Sequence, residues 1–138
     1  MGVDEALIRS RSAEARVARL ATTTVGGRPH VVPCCFAIGG DRIYTAVDDV
    51  KAKSTLDLRR LANIRLHPAV SVLVDHYSED WTGLWWIRMD GCARVSDPGS
   101  PEHGSARELL AAKYEQYAHR PPPGPVIAIQ IEAWRAWP

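Results

Sequence analysis

The chain has 138 residues, of which 46% are hydrophobic and 24% are charged, and this composition is typical of a soluble globular domain. Its formal net charge of +1 argues against a dedicated nucleic-acid-binding protein, which would carry a strong basic excess. No apolar run approaches the roughly 20 residues that span a bilayer, and the N-terminus lacks the apolar core of a signal peptide. We therefore expect a single-domain cytoplasmic protein with no membrane or nucleic-acid partner.

The first third of the chain predicts a helix followed by β-structure. Residues 1–15 are rich in Ala, Leu, Arg and Glu, which favour a helix. A β-like run over 17–24 ends at Gly26-Gly27, a hairpin signal. The next strand, 30–38, contains Pro33, which cannot donate to a sheet, so this strand should lie at an edge or be bulged. A third strand is predicted over 42–48.

The remaining elements alternate strands with two helices. Ser54, with Asp57 three residues later, predicts the start of a helix over 54–66, and a second helix is predicted over 101–118. The strands are predicted over 70–74, 84–95 and 126–137. Six strands with mostly local connections favour a mainly β, antiparallel barrel or sandwich with flanking helices.

The segment Lys51-Ala52-Lys53 lies between the third strand and the helix that begins at Ser54. Two ammonium groups and the unpaired N–H groups of a helix N-terminus suit an anionic cofactor tail. The alternative is an ordinary solvated loop.

Metal and nucleotide signatures are missing from the sequence. The five histidines have no metal-ligand spacing, so no metal site is predicted, and neither GxxxxGK[ST] nor GxGxxG occurs. We expect Cys34, Cys35 and Cys92 to be small buried side chains in a reducing compartment. Neighbouring strand residues point to opposite faces, so Asp75 should not orient His76 as a general base.

Five tryptophans are many for this length. Trp85 and Trp86 are consecutive in a predicted strand, so one of them must face a partner subunit or a planar ligand. Trp134 and Trp137 near the C-terminus are expected to dock onto a neighbouring surface. A dimer interface explains all of these positions.

An ordered series of segments resembles the pyridoxamine 5′-phosphate oxidase-like split β-barrel superfamily. The segments are Ala18–Thr22, Gly27–Pro33, Asp41–Tyr44, Leu58–Ile64, Val70–Tyr77 and Trp85–Gly91. Within that superfamily the chain is similar to the actinobacterial branch of deazaflavin (coenzyme F-420)-dependent enzymes, and the likeness runs from about Ala15 to the C-terminus. It implies a six-stranded antiparallel split barrel of the FMN-binding type, and a homodimer with cofactor sites at the subunit interface.

The resemblance also implies where a cofactor would lie. The ring would face the second strand, the tail would follow the third strand to the helix start, and one aromatic residue would reach the partner's cofactor. The residues implied for the ring are His30, Val31, Val32 and Pro33. Those implied for the tail are Thr45, Ala46, Val47, Lys51, Lys53 and Ser54, with Arg59 and Arg60 as further anion contacts. The aromatic residue that would reach the partner's cofactor is Trp86.

The function implied is hydride transfer between the deazaflavin and a small organic substrate. No catalytic residue is assigned, although Tyr44, His30 and His76 could supply a proton. Two alternatives stay open: an FMN-binding oxidase or flavin reductase, and a non-catalytic protein that binds a cofactor or haem. Pyridoxamine phosphate oxidation is disfavoured, because the second strand is not rich in Arg and Lys and only Arg135 lies in the C-terminal segment.

Overall fold

The computed structural model describes residues 4–47 and 55–137, with side chains described from residue 59 onward in the second helix. The helices are α1 (Glu5–Glu14), α2 (Thr55–Leu66), α3 (Pro101–Lys113) and α4 (Glu115–His119), with a short 3₁₀ turn at Trp81–Gly83. The strands are β1 (Ala18–Thr23), β2 (Pro29–Cys34), β3 (Ala37–Gly39), β4 (Arg42–Ala46), β5 (Ala69–His76), β6 (Trp85–Ser96) and β7 (Val126–Trp137). None of the helices in this described part is long and apolar enough to cross a membrane.

The strands form one curled antiparallel sheet with the order β2-β1-β5-β6-β7-β4-β3, the half-barrel of a split-barrel fold. This confirms the predicted fold class. The inner face carries the main core, in which Leu20, Val72, Ile87, Met89 and Ile129 are almost fully buried. Helices α3 and α4 cover a second core cluster against β3 and β4.

Within the described residues the sheet has seven strands where six were predicted, because the predicted strand 30–38 is divided at residues 35 and 36. The Phe36 backbone N–H donates to the Tyr114 hydroxyl, and that hydroxyl lies 3.1 Å from the Phe36 carbonyl oxygen, to which it can donate. These bonds take Phe36 out of strand pairing and turn the chain from β2 into β3. β2 pairs with β1 at one end of the sheet order, as Pro33 indicated.

Tyr114 also interrupts the helix predicted over 101–118. Its backbone is extended (φ −116°, ψ 118°), so α3 ends at Lys113 and α4 begins at Glu115. The Arg16 carbonyl oxygen lies 2.9 Å from the Tyr114 hydroxyl oxygen and is the alternative acceptor for its single hydrogen. The tertiary contacts of this hydroxyl therefore decide two boundaries that the local sequence did not reveal.

The prediction of three buried cysteines is wrong for two of them. Cys35 is exposed in the kink between β2 and β3, and Cys92 is exposed on the outward side of β6. Cys34 is partly buried and packs against the main core. Burial at these positions is decided by the kink at residue 35 and by the outward face of β6 at residue 92, and not by the apolar character of cysteine.

Lys113 at the end of α3 makes the stability of the fold depend on pH in the alkaline range. Burial, followed by the charge of Arg16, lowers the pKa of Lys113 from 10.5 to about 8, while Cys35 and Cys34 act in the opposite direction. The folded state therefore binds this proton less tightly than the unfolded state, so this group's contribution to stability rises between pH 8 and pH 10.5.

We expect Lys113→Met to be more stable than the wild type at neutral pH, because the buried charge is removed. The difference should shrink as the pH rises from about 8 to about 9.5, before tyrosines ionise. Urea unfolding at several pH values measures it. If the difference in the free energy of unfolding between the wild type and the variant did not change with pH, the lowered pKa of Lys113 would be contradicted.

Candidate functional site

The outward face of the sheet contains a groove of about 680 Å³. Strand register places its side chains in rows: Val31, Ala21 and Ser71 lie in one row across β2, β1 and β5. A second row runs from Asp75 on β5 to Trp86 and then to Trp137. The lining residues are Arg19, Ala21, Val31, Ser71, Leu73, Asp75, His76, Tyr77, Leu84, Trp85, Trp86, Arg88 and Trp137. The size suits a small-molecule ligand.

The charged residues of this groove are held in ion pairs. Arg19 lies 3.5 Å from Asp75, and Arg88 lies 2.9 Å from Asp90, which also accepts a 2.7 Å hydrogen bond from Ser71. Burial opposes ionisation of Asp90, but the bonds from Ser71 and Arg88 prevail and lower the pKa of this carboxyl. Arg19 and Arg88 flank Leu73 in one row of the groove, and most of the remaining lining is apolar.

Trp85 and Trp86 face opposite sides of the sheet, as predicted. Trp86 lines the groove beside Trp137, which is 49% exposed. Trp85, the first residue of β6, borders the groove but packs against the main core, and the Arg11 guanidinium carbon lies 4.9 Å from its ring centroid. His76 stacks on Trp85 with ring centroids 6.0 Å apart, while Asp75 pairs with Arg19 on the other face. The expectation that Asp75 does not orient His76 is therefore confirmed.

The free edge of β2 offers few hydrogen-bond donors. The Arg28 carbonyl oxygen accepts a hydrogen bond from the Thr24 N–H at 2.7 Å. From this pair onward, hydrogen-bonded and non-hydrogen-bonded residue pairs alternate along the β1–β2 hairpin. By this alternation Pro29, Val31 and Pro33 turn their backbone groups away from β1. Prolines have no N–H, so Val31 supplies the one donor between the carbonyl groups of this stretch. The Val31 side chain is 61% exposed and lines the groove.

A second group of predicted residues meets at the corner between β2, β4 and α2. The Thr45 hydroxyl donates to the Cys35 carbonyl oxygen at 2.8 Å. Burial raises the pKa of the Cys34 thiol, while Thr45 and the charge of Arg60 act in the opposite direction. Arg60 on α2 therefore lies near the end of β2.

The other predicted tail contacts are placed differently or not described. Thr45, Ala46 and Val47 are all buried, so they offer a ligand tail almost no accessible surface. Arg59 is exposed. The predicted anion contacts Lys51, Lys53 and Ser54 lie outside the described residues.

The inward residues of β2 contact the core rather than the groove. Val32 packs against the main core. His30 lies opposite Thr22, which accepts a 3.3 Å hydrogen bond from Asn63. The Nδ1 atom of His30 is buried and has no hydrogen-bond partner among the residues that the structure describes.

The possible proton donors are widely separated. His76 lines the groove, whereas Tyr44 is buried in the second core cluster with its hydroxyl 3.5 Å from Glu102. Of the predicted site residues, the structure brings Val31 and Trp86 to one groove and Thr45 and Arg60 to one corner.

Sequence reasoning missed Arg19, Ser71, Leu73 and Arg88 as groove residues. The alternation within each strand marks them as outward-facing. What the sequence did not supply was the order of the strands, which places these residues side by side.

The comparisons with known proteins agree with this architecture. No curated protein matches the chain. The conserved hypothetical protein Rv2991 from Mycobacterium tuberculosis superposes with a TM-score of 0.78 at 18% identity, over 99% of this chain and 86% of that one. The heme storage protein HutZ from Vibrio cholerae gives 0.74 at 14% identity, over 96% and 92% of the two chains.

A FAD-binding protein from Mesorhizobium loti gives a TM-score of 0.66 at 21% identity, over 97% of this chain and 94% of that one. Identities this low establish a shared fold. The model of the pyridoxamine 5′-phosphate oxidase family matches residues 5–138, nearly the whole chain. With its curled antiparallel sheet and this match, the chain belongs to the pyridoxamine 5′-phosphate oxidase family.

Proposed function

We propose that this protein is a deazaflavin (coenzyme F-420)-dependent oxidoreductase that works as a homodimer. The supporting observation is the apolar groove that contains Trp86 and Val31 beside a β2 edge with one backbone donor. The bound cofactor would supply the hydride, and the protein would supply binding, orientation and electrostatics.

The β2 edge suits the polar end of a deazaflavin or flavin ring. That end is a pyrimidinedione, with one N–H between two carbonyl groups. The Val31 N–H could donate to a ring carbonyl, and a β2 carbonyl could accept from the ring N–H. Haem has no matching edge, so this feature favours a flavin-like ligand over a porphyrin.

The predicted tail path begins at the end of this same strand. Arg60 acts electrostatically on Cys34, the last residue of β2. A tail that extends from the ring toward α2 would approach Arg60 and then the predicted contacts Lys51, Lys53 and Ser54, with Arg59 as a further cation. Since Thr45, Ala46 and Val47 are buried, we assign them a supporting role beneath this path rather than contacts with the tail.

The homodimer proposal rests on the same surface. Val31 is 61% exposed, Trp137 is 49% exposed, and both lie in the groove. A second copy would cover these apolar groups, and its Trp86 would help to exclude water from the ring. The neighbouring Arg19–Asp75 and Arg88–Asp90 pairs place both charge signs on this face, as a self-complementary interface requires.

Two other ligands compete for this proposal. FMN shares the ring edge, and one structural relative is a FAD-binding protein. Haem is the second, because His76 and Tyr77 line the groove as possible iron ligands and one relative is a heme storage protein. A flavin enzyme would be purified yellow from an ordinary host, whereas an F-420 protein would be colourless.

Titration of the purified protein with F-420, FMN and haemin, followed by fluorescence, distinguishes the three. We expect F-420 to bind most tightly. Trp86→Leu should raise its Kd by about tenfold, because a stacking aromatic surface is lost. Trp81→Leu is the matched control, since Trp81 is 70% exposed and lies outside the groove.

Three results would argue against the proposal. Tighter binding of FMN or haemin would select the corresponding alternative. An equal loss of affinity in the Trp81 and Trp86 variants would show that the groove is not the ring site. If the protein sedimented as a monomer at micromolar concentration, a cofactor site at a dimer interface would be excluded.

A further inference from the structure

Two arginines face each other across β6 and β7 on the outward side of the sheet. Arg88 lines the groove and is in register with Arg135. The neighbours of Arg135 on β7, Trp134 and Ala136, pack against the main core, so Arg135 itself faces outward, where it is exposed. Like charges directly opposite each other on adjacent strands destabilise a sheet. An anion bound between the two guanidinium groups would replace this repulsion with attraction.

The two guanidinium groups keep hydrogen-bond donors that the fold does not use. Arg88 donates to Asp90 through its Nε atom, at 2.9 Å, and Arg135 donates through Nη1 to the carbonyl oxygen of the preceding residue at 3.1 Å. Within residues 4–47 and 55–137, the other N–H groups of these two arginines have no acceptor. Arginine can bind a carboxylate through two parallel N–H bonds, so these donors suit a carboxylate ligand.

The ion pairs around these arginines point to a ligand with one negative charge. Arg19, which lies in the same row two strands from Arg88, is 3.5 Å from Asp75, and Arg88 is paired with Asp90. Arg135 has no ion pair within the part of the chain that the structure describes. A single carboxylate would balance this remaining cation, whereas a dianion such as phosphate would bring surplus negative charge beside Asp90.

An aromatic surface lies next to the two arginines. Trp86 and Trp137 are in register with each other, and both line the groove. They lie two residues from Arg88 and Arg135 on the same strands and the same face, a step of about 7 Å. Trp137 is 49% exposed, so its ring is accessible to a ligand. A planar apolar body packed on the tryptophans could therefore place an attached carboxylate at the arginines.

We propose that the groove selects an organic substrate that carries one carboxylate on a planar apolar body. Arg88 and Arg135 bind the carboxylate, and Trp86 and Trp137 pack against the body. This inference rests on the proposed function, which requires a small organic substrate beside the cofactor. It adds the chemical class of that substrate and the end of the groove at which its charged group is held.

The experiment compares cinnamate, a planar monocarboxylate, with cinnamamide, which has nearly the same shape and no charge. Isothermal titration calorimetry of the purified protein should give a Kd for cinnamate at least about tenfold below that for cinnamamide. Arg135→Gln should raise the Kd of cinnamate about tenfold and leave that of cinnamamide within about twofold.

Arg94→Gln is the matched control for the loss of a cation. Arg94 lies on the same outward face of β6 as Arg88, but it is outside the groove and is paired with Glu102. This variant should leave the Kd of both probes unchanged.

Three results would overturn the proposal. The first is equal affinity of the wild type for cinnamate and cinnamamide. The second is a Kd for cinnamate that Arg135→Gln does not change. The third is an equal loss of affinity for both probes in Arg135→Gln, because damage to the groove, and not the loss of a carboxylate contact, would then explain it.

A titration of cinnamate in the presence of saturating F-420 separates this inference from the proposed function. We expect cinnamate to bind with F-420 in place, because hydride transfer requires both molecules together. If F-420 displaced cinnamate, the arginines would belong to the cofactor site and the substrate assignment would fall. If F-420 did not bind but cinnamate kept its advantage over cinnamamide, the carboxylate site would stand and the cofactor assignment would fall.

Discussion

Gly91→Ala is expected to lower the free energy of unfolding by about 3 kcal/mol or more, the upper end of what overpacking costs. Gly91 lies at the bulge where β6 and β7 change register, with Glu132 as the extra residue of β7. A Cβ atom at Gly91 would lie 2.2 Å from the Gln130 carbonyl oxygen and 3.0 Å from the Ile129 Cγ2 atom. Since the first of these is a backbone atom of the paired strand, the clash cannot be relieved by rotating a side chain.

Thermal unfolding followed by circular dichroism measures the Gly91 effect, and the melting temperature should fall by about 10 °C or more. Gly104→Ala is the matched control, because nothing lies within 4 Å of its Cβ position in α3. An alanine there should be neutral or stabilise the helix by up to about 1 kcal/mol. A Gly91 variant that melts with the wild type would mean that the two strands can separate at the bulge without cost.

Replacing Lys51 and Lys53 together by alanine should raise the Kd for F-420 at least tenfold, roughly the effect of losing one or two charge-assisted hydrogen bonds. Both lysines lie outside the described residues, so this prediction rests on their sequence position before α2 and on the proposed tail path. The phosphate and carboxylates of the tail would lose the two nearest ammonium groups. Binding to the wild type should also weaken with added salt, and binding to the variant should do so less steeply.

Arg65→Ala is the control for this pair, because Arg65 is an exposed cation in the last turn of the same helix. It should leave the Kd nearly unchanged. If the lysine variant bound F-420 as tightly as the wild type does, the segment would be a solvated loop and the tail would have to follow another route. A comparable loss with FMN would indicate that the lysines recognise the shared phosphate rather than the longer acidic tail.

The sequence determined most of the individual strands and helices. Ile127, Ile129 and Ile131 recur at every second position of residues 126–137, which form β7 over that same range, and Pro33 indicated the edge position of β2. The consecutive Trp85 and Trp86 required opposite faces, which the structure confirms. These features could be predicted because alternation, proline geometry and side-chain direction are local properties of the backbone.

Only the tertiary structure decided where the chain bends and which strands are neighbours. The Tyr114 hydroxyl accepts a hydrogen bond from the Phe36 N–H, 78 positions away, and this bond lies where β2 and β3 separate. The same hydroxyl lies 2.9 Å from the Arg16 carbonyl oxygen, 98 positions away. The groove needs β1, β5 and β6 side by side, which brings Arg19, Leu73 and Arg88 into one row. Such contacts join segments that are distant in sequence, so their free energy depends on the packed sheet and cannot be read from any single stretch of residues.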